Sequence, residues 1–132
     1  MTDQTLQQQR AAFALRQVAA IKGSGDGASR FRAYSNSLPA MIQANGIGQA
    51  MAFAYQKAQA GKGPESEGWT HLYKSVSQWL CEHRRLWDGG DDLMNALMSG
   101  SQHQYQLAQA ETQALLRWVK DFARAELGHQ ED

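Results

Sequence analysis

The sequence predicts an all-α, single-domain bundle of five to seven helices over residues 1–132, built around a central helix–turn–helix elbow bounded by Pro and Gly. Three observations carry that prediction. Strand signals are nearly absent, because β-branched residues are few and no alternating apolar–polar run reaches five positions. Apolar residues instead recur at three- and four-residue spacings. Leu38 to Tyr55, LPAMIQANGIGQAMAFAY, holds no Asp, Glu, Lys or Arg, yet is broken by Pro39 and again by Asn45-Gly46. An uncharged, interrupted segment of this kind belongs in the interior, with other helices packed around it.

Thr5 to Lys22 is read as the first helix, with Leu6, Phe13, Ala14, Val18 and Ile21 on one side. The GSGDG stretch at 23–27 is a flexible connection, and Ala28 to Asn36 makes a short helix whose Phe31 and Tyr34 share a face. Ser37 then offers a hydroxyl cap and Pro39 fits the first turn of the elbow, where its missing N–H costs nothing. Asn45-Gly46 tolerates a left-handed backbone and so stops the helix and kinks or reverses the chain. Met41, Ile42, Ile47, Met51, Ala52 and Tyr55 form the apolar face, and Gly46, Gly48, Ala50, Ala52 and Ala54 let neighbouring helices approach closely. The elbow ends near Ala60.

Gly61-Lys62-Gly63-Pro64 reads as a loop with Ser66 as a cap, followed by a long helix from Glu67 to Trp87 carrying Leu72, Val76, Trp79, Leu80 and His83 on one stripe. Asp88-Gly89-Gly90-Asp91 breaks it. Asp91 begins a short helix through Met98 with Leu93, Met94, Leu97 and Met98 inward. Ser99-Gly100-Ser101 ends that helix and caps the last, Gln102 to Leu127, whose inner face holds Tyr105, Leu107/Ala108, Leu115, Trp118, Val119 and Phe122.

Composition fits one folded domain: 42% of the 132 residues are hydrophobic and four are Trp. A lone Cys forms no internal disulfide, MTDQTLQQQR lacks the apolar core of a signal peptide, and no apolar run approaches ~18 residues. A soluble, cytoplasmic protein without membrane association is expected. Net charge is zero, but residues 1–87 hold ten Lys/Arg against five Asp/Glu (+5), and residues 88–132 hold three against eight (−5). That division suits ordinary solvated helix faces; it also suits a basic surface for a polyanion and an acidic surface for a basic neighbour.

The residues supply no catalytic constellation. Cys81-x-His83 is a single pair pointing in two directions from a helix, and the other His, at 71, 103 and 129, are scattered, so a four-ligand zinc site is not expected. Glu126-x-x-His129 is half of a di-iron motif without its partners. Cys81 lies mid-helix, where a small buried residue is expected rather than a thiolate. Asp91-Asp92 suits a helix start, and GSGDG, GIG and GKGP lack the rest of a phosphate-binding fingerprint. No cofactor and no metal is expected. Met41, Met51, Met94 and Met98 are core fillers; Trp79 and Trp118 fall on core stripes, whereas Trp69 and Trp87, at the ends of one helix, are candidates for a protein-docking surface. Arg84, Arg85, Lys74, Lys57, Lys22 and Arg16 are the candidates for nucleic-acid contact. Arg84 and Arg85 also suit a helix C-terminus. With no aromatic residue interleaved among these positions, contact would be to phosphates and blind to sequence.

Tyr34, Ser37-Leu38-Pro39-Ala40-Met41-Ile42, Asn45-Gly46-Ile47-Gly48-Gln49-Ala50 and Ala52-Phe53 resemble the signature of the small helical subunit family of the Cmr complexes, the type III-B CRISPR effectors. Arg10-Ala11-Ala12-Phe13-Ala14 with Val18, and Leu115-Leu116-Arg117-Trp118-Val119-Lys120-Asp121-Phe122-Ala123, are similar too, so roughly two-thirds of the chain is covered. The resemblance implies a non-catalytic subunit in an antiviral, RNA-guided, RNA-targeting complex, stacked along the guide–target duplex beside other Cmr subunits, with cleavage left to those subunits. Guide RNA, target RNA and further copies of the chain along a filament are then its partners. Arg84→Glu with Arg85→Glu is expected to weaken RNA retention and leave the fold intact. The acidic C-terminal half would meet a neighbouring copy or another subunit. A helical protein–protein adaptor with no nucleic-acid contact is the alternative.

Overall fold

A computed structural model describes residues 3–88 and 92–128. The described residues form five α-helices and one π-helical segment in order: α1 Leu6–Ile21, α2 Asp26–Gln59, α3 Pro64–Ser77, the π segment Gln78–His83, α4 Leu93–Ser99 and α5 Gln102–Glu126. Among the described residues there is no strand. The chain is an all-α bundle around one hydrophobic core.

The long helices begin where local chemistry says they should. Thr5 Oγ1 accepts from the Gln8 N–H while the Gln8 side chain accepts from the Thr5 N–H, and Ser101 with Gln104 repeats that reciprocal box at the start of α5. Each box satisfies two of the four N–H groups that a helix start leaves without partners. Asp92 caps α4 by accepting from the Asn95 N–H. The helix start expected at Asp91 and the Glu126-x-x-His129 motif each include residues outside the described ones.

The elbow is where the sequence reading needs correction. Residues 28–36 are not a separate helix, and Ser37 and Pro39 do not start one. Asp26–Gln59 is one element of 34 residues with Pro39 inside it, absorbing Asp26 and Gly27 from the expected connection. Ser37 Oγ donates back to the Tyr34 carbonyl at 3.2 Å instead of accepting from a forward N–H. An interior Pro loses one backbone hydrogen bond and costs about 3 kcal/mol. Phe31, Ser35, Leu38 and Ile42 are nevertheless all buried along one unbroken stripe that passes the Pro, and ending the helix there would expose part of it. Gln113 Nε2 donates to the Pro39 carbonyl at 2.9 Å.

The expected kink at Gly46 is present. Gly46 has φ 84° and ψ 159°, a backbone that L side chains rarely adopt, and it divides α2 into arms 26–45 and 47–59. The arms fold back on one another: the Trp69 ring stacks on Tyr34 of the first (4.2 Å, 10°) and meets Phe53 of the second edge-on (5.5 Å, 84°). The second arm starts with free N–H groups, and α5 supplies their acceptors: Ile47 N–H donates to Gln109 Oε1 at 3.0 Å and Gly48 N–H to the Tyr105 hydroxyl at 2.8 Å.

Helix α3 starts at Pro64, three residues before the expected start, and Ser66 is not its cap; the Ser66 hydroxyl donates to the Ala58 carbonyl. It crosses α2 at Gly68, where a Cβ would lie 3.0 Å from the Phe31 backbone nitrogen and from Arg30 and Tyr34 side-chain atoms. Nor does a regular helix continue to Trp87. After Ser77 the backbone widens: the Arg84 N–H bonds the Trp79 carbonyl, a five-residue step, at 2.8 Å, and Arg85 takes φ 49°. Helix α1 runs antiparallel to α3, with Gln17 against His71 and Ser75, and parallel to α5, with Arg10 against Glu111 and Lys22 against Glu126.

The inward stripes of α1 and α5 hold at Phe13, Ala14, Val18, Ile21, Ala108, Leu115 and Val119, and Ile42, Ile47, Met51, Leu93 and Leu97 are buried as expected. Met98 is 75% exposed, and Leu107 and Tyr55 are exposed as well, contrary to their expected inward positions. Gly46→Ala is predicted to destabilise the fold by about 1–3 kcal/mol through the forced backbone geometry, with the new methyl also meeting the Tyr105 hydroxyl 3.0 Å away. Gly61→Ala, which faces open space, is the control, and urea unfolding midpoints of the two variants make the comparison.

Candidate nucleic-acid interface

The charge centre of the molecule is a carboxylate that sequence reading passed over. Glu111, 7% exposed, lies midway along α5. Arg10 of α1 grips it with two charge-assisted hydrogen bonds, Nε to Oε1 at 2.7 Å and an Nη to Oε2 at 2.9 Å. Trp79 Nε1 donates to Oε1 at 2.8 Å, and Arg84 Nε stands 3.6 Å from Oε2. Burial pushes the Glu111 carboxyl up, but the hydrogen bonds from Arg10 and Trp79 and the charges of Arg10 and Arg84 outweigh it and hold the group below the ordinary range. Arg10 stands in the sequence only as part of the family resemblance; the usable signal for Glu111 is a single acid in an otherwise neutral stretch on the inward side of an amphipathic helix.

Three of the six predicted basic residues come together beside this centre. Arg84 faces Glu111, its neighbour Arg85 is exposed, and the Arg16 guanidinium lies over the Phe13 ring, 5.8 Å from its centroid. Phe13 packs on Trp79 and His83 at 5.1 and 4.8 Å, so Arg16 shares the edge formed by α1 and the π segment. Lys74 is exposed on the outward side of α3, earlier along the chain. The other two lie toward the opposite end of the bundle and have partners. Lys22 Nζ is 2.9 Å from Glu126, and Lys57 Nζ is 3.5 Å from Glu65 and over the Phe53 ring. The six do not form one stripe.

Two further expectations change. Trp69 and Trp87 are 4% and 8% exposed, so neither offers a free docking surface. Trp69 is held between the arms of α2. Trp87 packs where a Cβ on Gly100 would come within 2.7 Å of its indole nitrogen. Arg84→Glu with Arg85→Glu would not spare the fold either, because it sets a second carboxylate beside buried Glu111 in place of a cation. The acidic C-terminal half is partly consumed inside the chain: Glu111 and Glu126 meet Arg10, Arg84 and Lys22 of the basic part.

Among the described residues no group of three His, Cys, Asp or Glu is placed to hold a metal ion, and no helix is long and apolar enough to cross a membrane. Cys81 is buried. The Tyr73 phenol is pushed up to about 12, chiefly by burial and then by the charge of Asp92, and so is un-ionised at neutral pH. The described recesses are shallow; the one beside the elbow, about 560 Å³, is lined by Met41, Ala44, Asn45, Gln49, Ala50 and Phe53, with no ionisable side chain.

A family model described as CRISPR-associated protein (Cas_Cmr5) matches residues 6–126. The chain belongs to this family. It is therefore a CRISPR-associated subunit of the Cmr, type III-B, kind. The match covers α1 to α5 whole, including Arg10, Glu111 and the π segment between them.

The Glu111 cluster makes a pH prediction with a definite sign. Its folded pKa lies below the unfolded value of about 4.3, so its contribution is fully present above that value and is lost as pH falls through the folded one. Stability of the Cmr subunit should drop on acidification below about pH 5, and Glu111→Gln should flatten that part of the profile in urea titrations at stepped pH. Glu111→Ala, which strands the buried donors, should cost about 3–5 kcal/mol at neutral pH.

Proposed function

We propose that this chain is a non-catalytic structural subunit of the Cmr effector complex, and that its basic edge contacts RNA phosphates along the guide–target duplex. Two guanidiniums, Arg10 and Arg84, share the buried Glu111 carboxylate, and Arg16, over the Phe13 ring, and exposed Arg85 lie on the same edge. Glu111 and exposed Glu82 are two carboxylates against four guanidiniums, and that surplus of fixed positive charge on a single edge is the observation that carries the reading. Guanidiniums suit phosphate because their planar donor fork matches its oxygens. Arg85 and Arg16 are exposed and available, Arg84 is half-buried, and Lys74 is exposed on α3. The recess beside the elbow, lined by no ionisable side chain, supports a positioning role, with cleavage belonging to other subunits.

Within such an assembly the chain's role is antiviral defence in the cytoplasm, stacking beside backbone subunits and further copies of itself. The internal pairing of Glu111 and Glu126 leaves fewer acidic groups for a neighbouring copy than the sequence alone suggests, so contact between copies rests less on opposed charge.

Arg16→Glu with Arg85→Glu tests the reading without touching Glu111. In a reconstituted complex, target-RNA retention should weaken and the salt dependence should become shallower, by roughly 1.8 in the log–log slope for two lost duplex phosphate contacts. Lys22→Glu with Lys57→Glu, whose charges are already engaged, is the comparison. Equal retention by the first variant at low salt overturns the choice of face. Failure of target RNA to crosslink to the chain inside the purified complex favours a protein–protein adaptor instead.

A further inference from the structure

We infer that His83 is a stacking platform for an RNA base on the edge formed by α1 and the π segment, an inference that rests on the RNA reading above. The imidazole is solvent-exposed although it belongs to an aromatic trio. Its ring lies 5.7 Å from Trp79 at 22°, nearly parallel, and 4.8 Å from Phe13 at 62°. Phe13 and Trp79 are both buried, so His83 is the one ring of the three that solvent reaches. With Trp79 stacked against one face and Phe13 packed edge-on, a base would settle on the face turned away from Trp79, and the two ring contacts hold the imidazole for it. A pre-set ring loses little side-chain entropy when a flat base settles on it.

The surroundings favour a nucleotide over other flat ligands. Arg16 lies over the same Phe13 ring at 5.8 Å, Arg84 is the next residue in the chain, and Arg85 is exposed one position further on. A base on His83 would carry its phosphates toward these guanidiniums, the combination of aromatic face and cationic groove used for single-stranded nucleic acid. The sequence shows no aromatic residue interleaved with the basic positions because the supporting rings come from α1 and from a turn earlier. Folding brings them to the arginines.

The test compares a labelled oligouridylate of about ten nucleotides with an abasic ribose-phosphate strand of equal length, both titrated by fluorescence anisotropy against the full chain at low salt. The uridylate should bind about 5- to 10-fold tighter than the abasic strand. His83→Ala should erase that preference while leaving abasic binding and the salt slope unchanged, and His83→Phe should keep it. Circular-dichroism melts check that both variants are folded. Equal binding of the two strands by the unaltered chain, a preference that survives in His83→Ala, or no binding of either strand each overturns the inference. The phosphate-contact reading is judged separately, by retention in the complex carrying Arg16→Glu with Arg85→Glu.

Discussion

A carboxylate taken out of water must be met by charge and hydrogen bonds, and the way Glu111 meets that demand sets the geometry of half the molecule. Its hydrogen-bond donors come from two other elements, Arg10 from α1 and Trp79 from the π segment, and the Arg84 guanidinium, just past that segment, adds a positive charge 3.6 Å from Oε2. Trp79 and Arg84 are five residues apart. In a regular α-helix, at 100° per residue, they would point about 140° apart and could not both face one group. The five-residue hydrogen bond from the Arg84 N–H to the Trp79 carbonyl brings them round to the same side. The widened backbone is thus the local solution to a tertiary requirement, and α1 is held in register against α5 by the same carboxylate.

The second constraint is the turn at Gly46. A helix that reverses on one residue leaves several N–H groups without partners, and burying that end demands acceptors from elsewhere. Gln109 and Tyr105 provide them from α5, a turn or so from Glu111 on the same helix. One long amphipathic helix therefore serves both arms of α2 on one stretch and α1 with the π segment on the next. The aromatic ring of Trp69 occupies the angle between the arms, so the elbow is fixed from inside by packing and from outside by hydrogen bonds. An uncharged segment with several small residues is what such a hinge needs, since α5 approaches Gly46 and Gly48 closely enough that a Cβ on either would touch Tyr105.

Features written in local chemistry were legible from the chain. The Ser101 cap, the stripes of α1 and α5 and the break at Gly46 all follow from side chains acting on their immediate neighbours. Misreadings arose where distant packing overruled a local signal. Ser37-x-Pro39 has the form of a helix start, but the 31–35–38–42 stripe continues through it, and burial of that stripe outweighs the lost hydrogen bond. Trp69 and Trp87 sit near helix ends, where exposure is the usual outcome; only the folding back of α2 and the close approach at Gly100 enclose them. The π segment was not readable, because nothing in QWLCEH marks it apart from a partner 32 residues beyond Trp79. Of the charged cluster, Arg84 stands out in the sequence as one of an arginine pair, whereas the acid it faces does not, since the meaning of Glu111 depends on which helix lies opposite.

Ion pairing decides which cations remain free for a polyanion. Lys22 and Lys57 each lie against a mostly exposed acid, and such pairs are worth little to stability; their effect is to cancel field at the end of the bundle where they sit. Around Glu111 the balance is the reverse. The carboxylate is buried and saturated by Arg10 and Trp79, so its negative charge is largely screened from the surface, while Arg16 and Arg85 stay in solvent and Arg84 is only partly withdrawn. The same contact that fastens α1 to α5 therefore leaves positive charge on the edge above it. A chain of zero formal charge can in this way present one distinctly cationic edge, and the fold's most buried ionic interaction determines where that edge lies.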